Sequence, residues 1–232
     1  MPLIVLWDID HTLIENSGVS KEIYAAAFEG VAGRAATRPA RTEGRTDRLI
    51  LAGMFRDHGM EPPEWALIQP ALVAAGAARE ADLSRRGRAL PGARKALAAV
   101  AAEPGMISSV LTGNIQANAR VKLRAFGLDE LVDIECGAYG ADATDRADLV
   151  DVARRRVRAV YGTPAETPVV LVGDTPRDVQ AALDSGAHVI AVASGVHSAD
   201  ELREAGASIV LADLTDVAAL MRHLRALAHA VC

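Results

Sequence analysis

Short apolar runs alternate with amphipathic stretches over much of the chain, and the alternation predicts strands and helices in turn. Leu3-Ile4-Val5-Leu6-Trp7 is unbroken by any polar residue and reads as a buried strand. Met106 to Leu111, Leu131 to Ile134, Pro168 to Val172, His188 to Val192 and Ile209 to Leu211 read as further strands. Between them, Pro91-Gly92 starts a helix through Leu97 and Val100. Leu149, Val150, Ala153, Val157 and Val160 line one side of another, with Asp151 and Arg155 placed to pair at i, i+4. Val217, Leu220, Met221, Leu224 and Leu227 make a last amphipathic helix. Strands alternating with helices imply right-handed βαβ units and a doubly wound parallel sheet, a Rossmann-like α/β core.

Residues 18–88 have a different texture. Ile23, Ala26, Ala27 and Gly30 share a helical stretch, and Thr46 stands as N-cap to a helix holding Leu49, Ile50, Gly53 and Met54. Pro62-Pro63 opens a helix with Trp65, Ile68 and Leu72 at spacings of three and four, and a charged segment from Arg79 to Arg88 closes the region. No strand-like alternation occurs here. The expected organisation is a core of residues 1–17 and 89–232 with an inserted all-helical domain, 18–88.

At 232 residues the chain has ample length for a real core, and with aromatics at only 3% that core must be built from Val, Leu, Ile and Ala. Lys and Arg number 25 against 30 Asp and Glu, a net charge of -5. A mildly acidic protein is poorly suited to gripping a polyphosphate backbone, which argues against nucleic acid as the main partner. An anionic substrate would have to be met by local cations or a metal. Cys136 and Cys232 form no metal-binding spacing and no disulfide framework. The apolar start lacks a basic n-region and is cut short by Asp8, and no apolar run approaches membrane-spanning length, so the chain reads as cytoplasmic.

Three strand ends carry polar residues suited to one site. Asp8 and Asp10 follow the first strand at spacing i, i+2, so on extended backbone both carboxylates leave the same face, with Ile9 opposite. Two carboxylates forced together repel unless a cation sits between them. Such a pair suits a Mg²⁺ site, or a nucleophile beside a general acid, or simply a polar turn. Thr112-Gly113-Asn114 offers a hydroxyl and backbone N–H groups at a helix start, which hold phosphate oxygens or cap the helix. Asp174 leads Thr175-Pro176-Arg177-Asp178, whose spacing reads as a capping box with Pro at the first helical position. The box accounts for Asp178, which stays a further metal-ligand candidate. Asp174 stands outside it, at the strand tip, and is expected to bind metal. A balancing cation is also needed. The only lysines are Lys21, Lys95 and Lys122, and none follows the third strand. Arg146 does, either as that cation or as a solvated helix-start residue, with Lys122 at mid-helix as the substitute.

Asp8-Ile9-Asp10-His11-Thr12, Leu111-Thr112-Gly113-Asn114, the Arg146 position and Gly173-Asp174-Thr175-Pro176-Arg177-Asp178 resemble the four ordered motifs of the haloacid dehalogenase-like hydrolase superfamily. Ala193-Ser194-Gly195-Val196-His197-Ser198, followed by Glu201-Leu202, is similar to its phosphoglycolate phosphatase-like branch, and segment 18–88 matches that branch's helical cap domain. The resemblance implies a Mg²⁺-dependent phosphomonoesterase. Asp8 would attack phosphorus and form an aspartyl-phosphate. Asp10 would protonate the leaving alcohol and then deprotonate the hydrolytic water. Asp8, the backbone carbonyl of Asp10 and Asp174 would hold Mg²⁺, with Asp178 close by, while Thr112, Gly113, Asn114 and Arg146 would hold phosphoryl oxygens. His11 stands where the family usually has Gly, and His tolerates left-handed backbone better than most residues. Arg146 replaces the commoner Lys.

The second carboxylate, Asp10, counts against the namesake dehalogenation, which does without it and the metal. A phosphomutase would keep the same core, and a receiver-like phosphoacceptor also uses an Asp at a strand end, though in about half this length and without a cap. The expected partner is a small-molecule phosphate ester. Arg45, in Gly44-Arg45-Thr46-Asp47, either meets a distal anionic group of that ester or is a solvated helix-start residue. Monomer and homodimer are both open.

Overall fold

Leu3–Trp7 forms the first strand, β1, and all five of its side chains are buried. They divide between two cores. Leu3, Val5 and Trp7 join one apolar cluster and Ile4 and Leu6 the other, as the two-residue period of a strand covered on both faces requires. The computed structural model describes residues 2–229. Met1 and residues 230–232 lie outside it, and with them Cys232; the other cysteine, Cys136, is a buried free thiol.

After β1 the chain runs through β2 (Ile14–Glu15) into four helices, α1 (Val19–Ala32), α2 (Asp47–Asp57), α3 (Trp65–Ala78) and α4 (Glu80–Arg86), and returns through β3 (Arg88–Ala89). Then α5 (Ala93–Ala102), β4 (Met106–Leu111), α6 (Gln116–Ala125), β5 (Asp133–Ala138), α7 (Arg146–Tyr161), β6 (Val169–Gly173), α8 (Pro176–Asp184), β7 (His188–Val192), α9 (Ala199–Glu204), β8 (Val210–Leu211) and α10 (Val217–His229) follow. The six-stranded sheet has the order β5-β4-β1-β6-β7-β8, and every pair in it is parallel. The chain moves outward from β1 through β4 to β5, then returns to the other side of β1 with β6. That reversal places the topological switch point at β1, where ligands collect beyond the carboxyl ends.

Helices α5, α6 and α10 cover one face of the sheet and α7, α8 and α9 the other, so the sheet is doubly wound. Helices α1 to α4 build a third apolar cluster around Phe28, Leu51, Phe55 and Leu72, and Ile115, just before α6, is part of it. Where the chain leaves and re-enters the sheet domain, β2 and β3 pair antiparallel, Ile14 with Ala89 and Glu15 with Arg88. No helix among the described residues is long and apolar enough to cross a membrane.

Several local expectations are corrected. The strand expected at Leu131 to Ile134 starts later: a 3-10 turn occupies Asp129–Leu131 and the strand runs Asp133–Ala138. Its buried end, Cys136 to Ala138, is built from small residues whose weak hydropathy hides it. Arg88–Ala89 is a strand in a segment expected to have none, and two residues are too few to show an alternation. Helix α3 begins at Trp65, with Glu64 at its N-cap on extended backbone (ψ 142°), so Pro62-Pro63 precedes the helix and does not form its first turn. Thr46 occupies the N-cap of α2 but its side chain does not cap. Asp151 pairs with Arg154 at 3.1 Å, one position short of the expected Arg155, since Arg154 also reaches the carbonyl of Ser185 at 2.9 Å.

Candidate active site

The end of β1 is fixed by the Asp8 N–H, which donates to the carbonyl of Val172 at 2.8 Å. The chain then turns sharply. His11 is left-handed, with φ 61°, and its N–H donates to Ile14 O at 2.8 Å, so the turn forms around a His where Gly would be the least strained choice. The turn buries the Thr12 hydroxyl, which donates to Asp174 Oδ1 at 2.9 Å and ties the β1 loop to the tip of β6. Asp8, Asp174 and Asp178 are all buried, and one carboxylate oxygen of each lies within 4.8 Å of the other two.

The three acids are not equivalent. Asp178 closes the expected capping box: its Oδ2 accepts from the Thr175 N–H at 3.0 Å and hydroxyl at 2.6 Å, and its Oδ1 accepts from Arg146 Nη2 at 2.5 Å. Both of its oxygens are therefore engaged. Asp174 is pushed well above the usual carboxylate range by burial, reinforced by the charges of Asp178 and Asp8, with Thr12 and Arg146 opposing. Burial likewise raises Asp8 to about 6 against the pull of Arg146, with Asp178 and Asp10 adding repulsion. A buried acidic cluster of hard oxygens, destabilised by its own charge, suits a divalent cation.

Arg146 is the first residue of α7 and only 7% exposed, so the solvated alternative fails. Its Nη2 lies 3.1 Å from Asp8 Oδ2, and its Nε is buried without a hydrogen-bond partner. The Thr112 loop is likewise not a helix cap: α6 begins at Gln116 with Ile115 at its N-cap. The Thr112 hydroxyl instead accepts from Asn114 Nδ2 at 2.8 Å. A side chain at Gly113 would run into the carbonyl oxygen of Arg45, and Gly113 O accepts from the Asp47 N–H at 2.7 Å, so the loop packs backbone to backbone on the start of α2. Asp47 adds a second tie by accepting the Ile115 N–H at 2.7 Å, while its other oxygen takes the Tyr24 hydroxyl at 2.6 Å.

Asp8, Asp10, Thr112, Gly113, Asn114, Arg146, Arg45 and Asp174 all line one cavity of about 230 Å³. Asp178 stands behind it. The carboxylate of Asp10 lies outside the three-acid cluster, because Lys122 Nζ holds it at 2.8 and 2.6 Å. Burial pushes Asp10 up, but the Lys122 ammonium and hydrogen bonds from Lys122, Asn114 and Asn16 bring it down to about 2. Thus two buried cations hold the acids, Arg146 on Asp8 and Lys122 on Asp10, where a single balancing cation was expected. The sequence did carry a signal for Lys122: Ile115, Ala119 and Leu123 form a buried stripe at spacing four, and Lys122 falls beside Leu123, three residues past Ala119. Nothing in the spacing marks Asn16 or Asp47.

A protein named "Probable phosphatase IndB", from Dickeya dadantii (strain 3937), is 29% identical over 132 residues, 56% of this chain and 55% of that one. The match thus spans about half the length of that relative. The crystal structure of a hydrolase from Pseudomonas syringae superposes with a TM-score of 0.69 at 23% identity, covering 98% of this chain and 100% of that one. CbbY from Rhodobacter sphaeroides, in complex with phosphate, gives 0.68 at 19% identity, covering 94% and 96%. At these identities the structural likeness speaks for the fold. The family model for haloacid dehalogenase-like hydrolases matches residues 5–183, most of the chain, and the chain belongs to that family.

Proposed function

We propose that this protein is a Mg²⁺-dependent phosphomonoesterase that hydrolyses a small-metabolite phosphate ester through an aspartyl-phosphate on Asp8. The observation that carries the reading is the division of labour between two acids on one cavity: Asp8 lies in the three-acid cluster beside Arg146, and Asp10 lies apart from it. Asp8, Asp174 and the backbone carbonyl of Asp10 would hold a Mg²⁺ ion, which when bound would offset the negative charge gathered at the site. Asp178, with both oxygens engaged, holds Arg146 in place and is only an outer partner of such a site.

In the first half-reaction an Asp8 oxygen forms a bond to phosphorus as the bond from phosphorus to the leaving oxygen breaks, and Asp10, having taken up a proton from solvent, passes it to that oxygen. In the second, Asp10 takes a proton from water. The water oxygen bonds to phosphorus, the bond to Asp8 breaks, and inorganic phosphate is released. Arg146, the Thr112 hydroxyl and the N–H groups of Gly113 and Asn114 hold the phosphoryl oxygens as charge shifts among them.

Segment 18–88 acts as the cap. Lys21, Tyr24 and Arg45 from this segment line the same cavity as Asp8, and its size suits a small ester. Arg45 meets an anionic group on the leaving alcohol, as in a phosphoglycolate-like substrate. The enzyme works in the cytoplasm, as a monomer or homodimer, without nucleic acid or membrane.

The test is a phosphate-release screen of the purified protein over many phosphorylated metabolites, with and without Mg²⁺. Release from at least one ester, lost on chelation, supports the reading. No release from any ester sinks it, and an isomerised sugar phosphate in place of free phosphate moves the activity to phosphomutase.

A further inference from the structure

Lys122 has no part in the mechanism above, yet it is the cation that touches Asp10. It lies in α6 with 2% of its side chain exposed. An ammonium in such a place is costly unless its protons are all bonded. Here they are: Nζ donates to Asp10 Oδ1 at 2.8 Å, to Asp10 Oδ2 at 2.6 Å and to Asn114 Oδ1 at 2.7 Å. Three protons are all that Lys can give, so none is left for a phosphoryl oxygen.

The rest of the contacts complete a cradle. Asn114 Nδ2 donates to Asp10 Oδ2 at 2.8 Å and Asn16 Nδ2 to Asp10 Oδ1 at 2.8 Å. Each oxygen of Asp10 therefore takes one bond from Lys122 and one from an amide, and Oδ1 a longer third from the Ser20 hydroxyl at 3.5 Å, which together fix both the plane and the rotation of the carboxylate. The Asp10 side chain keeps 24% of its surface, and it lines the cavity. Asn114 is oriented in turn by Lys122 at its oxygen and Thr112 at its nitrogen, so the cradle also links Asp10 to the loop that faces the phosphoryl group.

We propose that Lys122 is a positioning residue for the acid–base steps: it acts through Asp10, aiming that carboxylate at the leaving oxygen and later at the water, and does not touch the phosphoryl group. The inference rests on the phosphomonoesterase reading. It separates the two buried cations by task, Arg146 serving the phosphoryl group and Lys122 the proton carrier.

The test uses Lys122→Met, of similar length and uncharged, with folding checked by circular dichroism and thermal melting. Two substrates are compared: an alkyl phosphate, whose leaving oxygen must be protonated, and 4-nitrophenyl phosphate, whose leaving group departs without a proton. With the alkyl ester, kcat is expected to fall about 100-fold or more while KM stays within about threefold. With 4-nitrophenyl phosphate, a rapid-mixing burst of one nitrophenolate per site is expected to persist, followed by slow turnover as the intermediate waits for its water to be activated. A merely structural lysine would not split the burst from the turnover. If Lys122→Met fails to fold, Lys122→Arg, which keeps the charge but misplaces the donors, is expected to show the same split to a smaller degree. Equal loss of burst and alkyl turnover, a rise in KM alone, or wild-type kinetics in the variant that folds would overturn the inference while leaving the phosphatase reading intact. A wild-type protein that releases no phosphate from any ester removes both.

Discussion

Arg146 Nη2 lies 3.1 Å from Asp8 Oδ2, both side chains buried, so the charge of Asp8 is balanced from inside the protein. The same nitrogen also holds Asp178, and removing the guanidinium leaves two buried carboxylates unpaired. Arg146→Met is therefore expected to destabilise the fold by about 3–5 kcal/mol, read as a lowered urea midpoint with an unchanged slope. A midpoint within error of wild type would show that the pair carries no net stability.

Asp8→Asn should abolish phosphate release and yet melt higher than wild type at pH 7.5 without divalent ions. The folded protein holds Asp8 at about 6, above its ordinary value of 3.8. Between those two values the folded state binds more protons than the unfolded state, so stability falls as pH rises through this window and stays reduced above it. The amide carries no such penalty. A variant that melts lower at pH 7.5 would argue that burial of Asp8 is compensated elsewhere.

Mg²⁺ should reverse the penalty on the whole cluster. At a concentration 100 times the dissociation constant, ligand binding to the folded state adds about 2.7 kcal/mol, or roughly 5–10 °C for a protein of this length. The shift is expected to shrink from pH 7.5 to pH 5, where protons compete for Asp8 and Asp174, both raised by burial. Differential scanning fluorimetry at the two pH values reads this directly. An equal shift at both would place the ion elsewhere.

Asp10 behaves in the opposite sense. Held at about 2, below its ordinary 3.8, it contributes stability that is present above pH 3.8 and is lost as pH falls toward 2. Asp10→Asn is expected to flatten that part of the acid-denaturation curve. An unchanged acid limb would mean that Lys122 pairs with Asp10 too weakly to matter for the fold.

Arg45→Ala is expected to raise KM several-fold for a phosphate ester carrying a carboxylate and to leave KM for an uncharged ester unchanged. Steady-state kinetics on such a pair of substrates decides it. Unchanged KM for both removes Arg45 from the leaving-group pocket.

The doubly wound sheet was legible because its strands announce themselves: Leu3–Trp7, Val169–Gly173 and His188–Val192 are apolar runs bounded by polar turns. The site was legible to the extent that its residues sit at strand tips, as Asp8, Thr112 and Asp174 do. Residues that reach it from a helix interior or a loop were legible only in part: Lys122 stood as a substitute for Arg146 and not as the partner of Asp10. Lys122 comes from α6, 112 positions from the carboxylate it holds, and only the folded chain brings the two together. Asp47 resembles an ordinary helix-start acid, and its role in tying α2 to Ile115 depends on a backbone approach that Gly113 permits. The edge strand β5 was expected too early and the two-residue β3 escaped, because short or small-residue strands leave little periodic trace.

The β2–β3 ribbon has a consequence for where the protein could be cut. Because Ile14 and Ala89 lie directly opposite each other in the antiparallel ribbon, deleting the helices between them and closing the gap with a tight turn would leave a hairpin. The truncated chain would not be a finished protein, however. Ile115 lies buried among the deleted helices, and Ala117, Val121 and Ala125 of α6 pack against the same cluster. Excision would turn that side of α6 into an open apolar strip, a surface that invites self-association. The helices are attached at a single seam, yet the sheet domain depends on them to cover one of its own.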